Sequence, residues 1–167
     1  MIAYLHSDLI DVSRHFGQGG LSELLLHGGD NHNAGGVMAV TAIRSIRNSS
    51  ESEPYFARNH ENQNDTGGPG KSLEINSGEV VQCNMWVPWC ATQEDFDNRH
   101  KISIVPLAFN EIPVTFTIGQ QGDYVRYSKD GLFHDEGEPV PGNNTVGGDR
   151  AIQIVGTSLT NADIIFY

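Results

Sequence analysis

EVVQCNMWVPW, residues 79–89, is the stretch from which the rest of the chain can be read. Its odd positions, Val81, Cys83, Met85, Val87 and Trp89, are all apolar, while Gln82 and Asn84 take the other parity. Successive side chains of a strand point to opposite faces, so this alternation predicts a half-buried β-strand. Trp86 falls on the polar parity and is expected to face outward, opposite Trp89.

The same period continues downstream. KISIVPLAF (101–109) and IPVTFTI (112–118) predict two strands joined at Asn110-Glu111 by a two-residue hairpin connection. Pro106 and Pro113 each remove a ladder donor, which predicts edges or bulges at those strands. DYVRYS (123–128) alternates and places Tyr124 and Tyr127 on opposite faces. RAIQIVG (150–156) and ADIIFY (162–167) close the chain, and an end this apolar is expected to be pinned in a sheet. Upstream, VMAVTAIRSIRN (37–48) is rich in β-branched residues, with a short neighbour over 54–56. Residues 59–71, 91–100 and 134–149 read as polar loops.

About eight strands with short turns predict an all-β protein, a two-sheet antiparallel β-sandwich of jelly-roll type, over residues 37–167. The first 36 residues differ. Residues 7–27 are the only stretch that reads as helical, and GGDNHNAGG (28–36) follows as a loop. A short helical N-terminal appendage over 1–36 is therefore expected, covering a sheet edge or reaching a neighbouring subunit.

The chain has 167 residues, the size of one domain with a core of its own. Ten Lys and Arg stand against 21 Asp and Glu, a formal charge of −11, and the closest basic groupings in sequence are pairs such as Arg44/Arg47 and Arg99/Lys101. That balance argues against nucleic acid and anionic lipid as partners. No apolar run approaches the ~20 residues of a membrane helix, so no membrane span is expected. The opening MIAYLHSDLIDVSRHF has neither a basic n-region nor a continuous apolar h-region. Cytoplasmic residence is the default expectation, with export by another route as the alternative.

Motifs for chemistry are few. There is no Gly-x-Ser-x-Gly, and the His134-Asp135-Glu136 run lacks the later histidine that an iron oxygenase needs. His6, His15, His27 and His32 read as surface polar residues. If residues 83–90 formed one strand, Cys83 and Cys90 would lie ~23 Å apart at the usual rise. A disulfide spans roughly 4.4–6.8 Å, so a bridge requires the chain to fold back at Pro88. Two free thiols, one in the core and one at a strand end, are expected, and a bridge is the alternative. Acidic and Asn-rich loops make Asp30, Asn33, Asp95 and Asp97 weak candidates for calcium, but solvated loops in an acidic protein explain them, so no cofactor is expected and calcium is the alternative.

No catalytic residue is expected. An outward Trp beside Asn, Asp and Arg is a way to hold a sugar ring, by stacking on its apolar face and hydrogen-bonding its edges. The candidate ligand-binding residues are Trp86, Asn84, Asp95, Asp97, Asn98, Arg126 and Tyr127. A non-catalytic, lectin-like carbohydrate-binding module ranks first. A structural, self-assembling homo-oligomer ranks second, on the apolar C-terminal strand and the appendage. A hydrolase using carboxylates from distant strands, such as Glu74, Glu79, Asp95 and Asp123, ranks last.

Overall fold

A computed structural model describes residues 39–51, 54–107 and 113–167. The expected helical appendage over 1–36 lies outside the described residues, as do His6, His15, His27, His32 and the calcium candidates Asp30 and Asn33. The strands are β1 (Thr41–Asn48), β2 (Tyr55–Asn59), β3 (Leu73–Ile75), β4 (Val80–Trp86), β5 (Ile102–Pro106), β6 (Phe116–Gln121), β7 (Tyr124–Ser128), β8 (Glu138–Pro139), β9 (Gly148–Ser158) and β10 (Asn161–Phe166). A short helix, α1 (Gln93–Asp97), and a 3-10 turn over Gln63–Thr66 complete them.

The strands form two sheets, in the orders β10-β9-β1-β4 and β3-β2-β5-β6-β7-β8. One continuous core lies between them. Ile43, Ile46, Met85, Ile152, Ile154 and Ile164 come from the four-stranded sheet; Tyr55, Ile75, Ile102, Ile104, Phe116 and Ile118 come from the six-stranded one. All twelve are fully buried. The all-β two-sheet sandwich is therefore the fold. Within it, β1 and β9 run parallel while the other ladders are antiparallel.

Register explains which residues reach the core. Ile43 and Ile46 are three apart, a spacing that regular alternation would send to opposite faces. Both ladders of β1 slip between Ile43 and Ser45, and this irregularity returns Ile46 to the interior while Arg44 and Arg47 stay out. The two arginines then part company: Arg44 bonds Asp149 and Asn84, and Arg47 lies over the Tyr167 ring, 6.0 Å from its centroid.

Several expectations are corrected. The two-residue connection expected at Asn110-Glu111 lies outside the described residues, and the β5–β6 ladder pairs Ile102 with Ile118 and Ile104 with Phe116. Among the described residues flanking that connection, Leu107 bonds Pro54, Val114 bonds Leu159 and Thr115 bonds Lys129. Pro106 ends β5 and Pro113 precedes β6, and both strands are interior to their sheet. The prolines delimit strands here instead of marking edges. Residues 91–100 contain α1, and part of the 134–149 loop pairs with β7 as β8. The strand read over 79–89 stops at Trp86.

Helix α1 owes its existence to local chemistry. Thr92 and Asp95 form a capping box, each side chain accepting from the other residue's backbone N–H. At the other end, Arg99 and His100 donate backbone N–H groups to Phe96 and Asp95, the bonding pattern of a Schellman motif. Arg99 holds the left-handed position of that motif, with φ of 72°, and is the only non-glycine with positive φ among the described residues. Replacing Arg99 by Gly should therefore stabilise the fold by about 1 kcal/mol, because the left-handed conformation costs an L-residue that much. A urea midpoint no higher than that of the parent would contradict it.

The C-terminal strand is held from both sides. Phe166 and Tyr167 end a strand paired along β9, and the Phe166 N–H donates to Pro141. Gly142 makes that approach feasible: a Cβ there would stand 2.0 Å from the Phe166 carbonyl oxygen. Farther back on β10, Asp163 links the two sheets. It accepts from the Tyr127 hydroxyl on β7 at 2.9 Å and from Lys129 Nζ at 2.7 Å.

Burial alone would raise the Asp163 carboxyl, but the bonds from Lys129 and Tyr127 outweigh it and hold the group below its ordinary value. A carboxylate with a depressed folded pKa contributes stability above its unfolded pKa of ~3.9, and loses it as pH falls through the folded value. Asp163→Asn should therefore unfold at lower urea than the parent at pH 7, and the gap should close as the solution is acidified below pH 4. A gap that stays constant with pH would show that the charge is not involved.

Candidate functional site

The cleft that gathers the exposed tryptophans, about 330 Å³, is lined by Ala39, Val40, Asn59, Glu61, Asn62, Trp86, Val87, Pro88, Trp89 and Gln120. It contains both tryptophans of the chain. Trp86 is 50% exposed, Trp89 38% and Val40 44%, so three of the large apolar residues left in solvent line this one cleft. Apolar surface of this kind costs free energy when left in water, and a polar rim around it is the usual form of a ligand cleft.

Trp86 is outward, as its parity predicts. Trp89 is the correction: it faces the same cleft. The strand stops at Trp86, Val87 donates its N–H to Thr41, and buried Pro88 carries the chain round, so alternation does not extend to residue 89. Gln120 fixes the result. Its backbone bonds Pro88 and Cys90 on either side of Trp89, and its side-chain amide donates to Ala39.

The Trp86 backbone is clamped by two side chains, Asn59 at the end of β2 and Asp65 in the 3-10 turn. Asn59 Nδ2 donates to the Trp86 carbonyl at 3.1 Å and to Asp65 at 2.9 Å, while Asp65 accepts the Trp86 N–H at 3.4 Å. Asn59 Oδ1 accepts the N–H groups of Glu61 and Asn62, so this buried amide organises the rim as well. The Glu61 carboxylate stands exposed at the cleft. The reading of 59–71 as a polar loop contained these residues but gave no reason to join them to Trp86.

The other candidates fall elsewhere. Asn84 lies two residues from Trp86 on the same outward face, where its side-chain oxygen accepts from Arg44. Asp95 caps α1: the Thr92 hydroxyl, then the Ala91 and Thr92 N–H groups, hold its carboxyl below its ordinary value. Asp97 accepts from Gln93, and Asn98 is the helix C-cap. The calcium candidates Asp95 and Asp97 are thus occupied within α1, and among the described residues no three His, Cys, Asp or Glu side chains gather to hold a metal.

Arg126 donates to the Gly137 carbonyl at 2.5 Å, and Tyr127 is buried with its ring stacked on Phe116. A second cleft of about 410 Å³ beside β7 holds Asp130, His134, Glu136 and Glu138, with His134 Nε2 2.9 Å from Asp130. The candidate residues therefore divide among three places, and only Trp86 lines the aromatic cleft.

Both cysteines are free. Cys90 is the buried one, packed where Gly119 has no side chain, and Cys83 is half-buried with Sγ on the Ile43 carbonyl. Burial pushes each thiol up to about 11, which disfavours the thiolate at neutral pH. Of the carboxylates considered for hydrolysis, Glu79 closes the turn at Asn76 and Asp95 caps α1. Among the described residues no helix is long and apolar enough to cross a membrane. No family model, curated protein or solved structure matches the chain.

Proposed function

We propose that the protein is a non-catalytic, lectin-like carbohydrate-binding module whose ligand lies in the Trp86–Trp89 cleft. The observation that supports this reading is the convergence of two solvent-facing indoles with Asn59, Glu61, Asn62 and Gln120 around one opening. A sugar ring has an apolar face of axial C–H groups and an equatorial rim of hydroxyls. The indoles stack on the first, and carboxylate and amide groups hydrogen-bond the second. Glu61 is the acceptor with most freedom to do so, since the Asn59 amide is already committed to the Trp86 backbone and the rim.

The test is a glycan array probed with labelled protein, with calcium and again with chelator. Specific hits that persist in chelator are expected, because the cleft supplies aromatic and amide groups instead of a cluster of carboxylates. A blank array would overturn the reading. A second reading rests on the same patch: Val40, Trp86 and Trp89 could be covered by another copy of the chain in a homo-oligomer. Light scattering that gives a monomer across a wide concentration range would remove it.

A further inference from the structure

On the outer face of the six-stranded sheet, four cationic or titratable residues from two segments more than 30 residues apart come together. β2 and β5 are antiparallel, with Arg58 paired to Ser103 and Asn59 to Ile102. Asn59 and Ile102 point to the core, so Arg58 and Ser103 point away from it. One step further, the His60 N–H donates to the Lys101 carbonyl, and Lys101 in turn bonds Arg99. His60 Nε2 lies 2.7 Å from the Ser103 hydroxyl, and Arg99 projects from the strained turn after α1.

Opposite and diagonal neighbours on one face of a sheet lie about 5–8 Å apart, so positive groups gathered there repel one another. Among the described residues no ion pair offsets this. The ion pairs among the described residues are Arg44–Asp149, Lys129–Asp163 and His134–Asp130, none of them in this group. Arg58 Nε is sealed from solvent without a hydrogen-bond partner, an orphaned donor on a guanidinium. Lys101 Nζ stands over the Phe96 ring, 3.3 Å from its centroid, with Asp97 as the nearby carboxylate. Glu74 sits across from Phe56, two residues from Arg58 on the same face, and makes no ion pair with Arg58. In a chain of charge −11, such a concentration of donors needs a reason.

We propose that Arg58, His60, Lys101 and Ser103, with Arg99 at the margin, bind an oxyanion of the phosphate or sulfate class. A tetrahedral anion presents several acceptor oxygens at once. The Arg58 guanidinium meets two of them, and the imidazole, hydroxyl and ammonium meet the others. The group arrives either as the free inorganic ion or as an ester on a larger molecule. The site is distinct from the tryptophan cleft, so its fate does not depend on the carbohydrate reading.

Burial, then Arg58, Lys101 and Arg99, hold the His60 imidazole below its ordinary value in the free protein. An anion seated among these groups reverses that balance and favours the imidazolium. The experiment follows the His60 ring signals by NMR during titration with inorganic phosphate, inorganic sulfate, glucose 6-phosphate and N-acetylglucosamine 6-sulfate. Sodium chloride at matched ionic strength is the control.

Saturable shifts are expected, with the His60 pKa rising on binding. Arg58→Gln and Lys101→Gln should each weaken binding about tenfold or more, the loss of one charge-assisted hydrogen bond. Tighter binding of an ester than of its free ion identifies the ligand as a larger molecule; the reverse identifies the free ion. Shifts that chloride reproduces, or that survive unchanged in both folded variants, would overturn the proposal, as would no shift at millimolar concentrations of any of the four.

Discussion

Replacing Trp86 and Trp89 together by alanine is expected to abolish glycan binding while leaving the sandwich folded. Tryptophan anchors in binding sites typically cost 2 kcal/mol or more when truncated, so the pair should cost about 4 kcal/mol, roughly a thousandfold in affinity. The stability cost should be smaller, about 1 kcal/mol for each ring, because both indoles keep a large part of their surface in water and neither belongs to the core. Trp86→Ala alone tests stacking on the strand side, and Trp89→Ala tests the wall fixed by Gln120. Unchanged titration curves for the double variant, with its circular dichroism intact, would sink the assignment of the cleft. A concurrent fall in molecular mass would instead identify the patch as a subunit contact.

The largest effect on stability is expected at Phe116. It is fully buried at the start of β6, between β5 and β7, with its ring 6.3 Å from that of Tyr127 at an interplanar angle of 24°. Phe116→Ala removes the apolar contact and leaves a cavity that two hydrogen-bonded sheets cannot close, at a cost of about 3–5 kcal/mol. Domains of this size are stable by only about 5–15 kcal/mol in total, so the variant should unfold at much lower urea with a similar slope. Phe116→Leu keeps most of the volume and should lose less than about 1.5 kcal/mol. Equal midpoints for the alanine variant and the parent would show that the core is not centred on this ring.

Much of the architecture was legible locally. Alternation at Val81, Cys83 and Met85, at Val125 and Tyr127, and at Ile152, Ile154 and Ile164 placed those strands and their inward faces, because the pleat imposes a period of two on any half-buried strand. The signal failed where another interaction broke the period. At Ile43 and Ile46 a bulge restores the inward face across an odd spacing, and after Trp86 the strand has ended and Pro88 carries the chain round to Trp89. Helix α1 has no legible period, since five residues are too few to show one, and its capping box uses Asp95 where the usual signature has Glu or Gln.

The sequence by itself determined the fold class and the outward setting of Trp86, both of which depend on neighbours within a few residues. It also fixed the absence of a Gly-x-Ser-x-Gly motif and the net charge. Tertiary structure alone decided which residues share a site. Asn59 and Asp65 reach the Trp86 backbone across more than 20 positions, and Gln120 braces Trp89 from β6. Arg58 and His60 meet Lys101 and Ser103 only because β2 and β5 pair in one register. Local pattern specifies the face on which a side chain lies. Strand order and register decide what stands beside it, and those are set by the long-range burial that joins the two sheets.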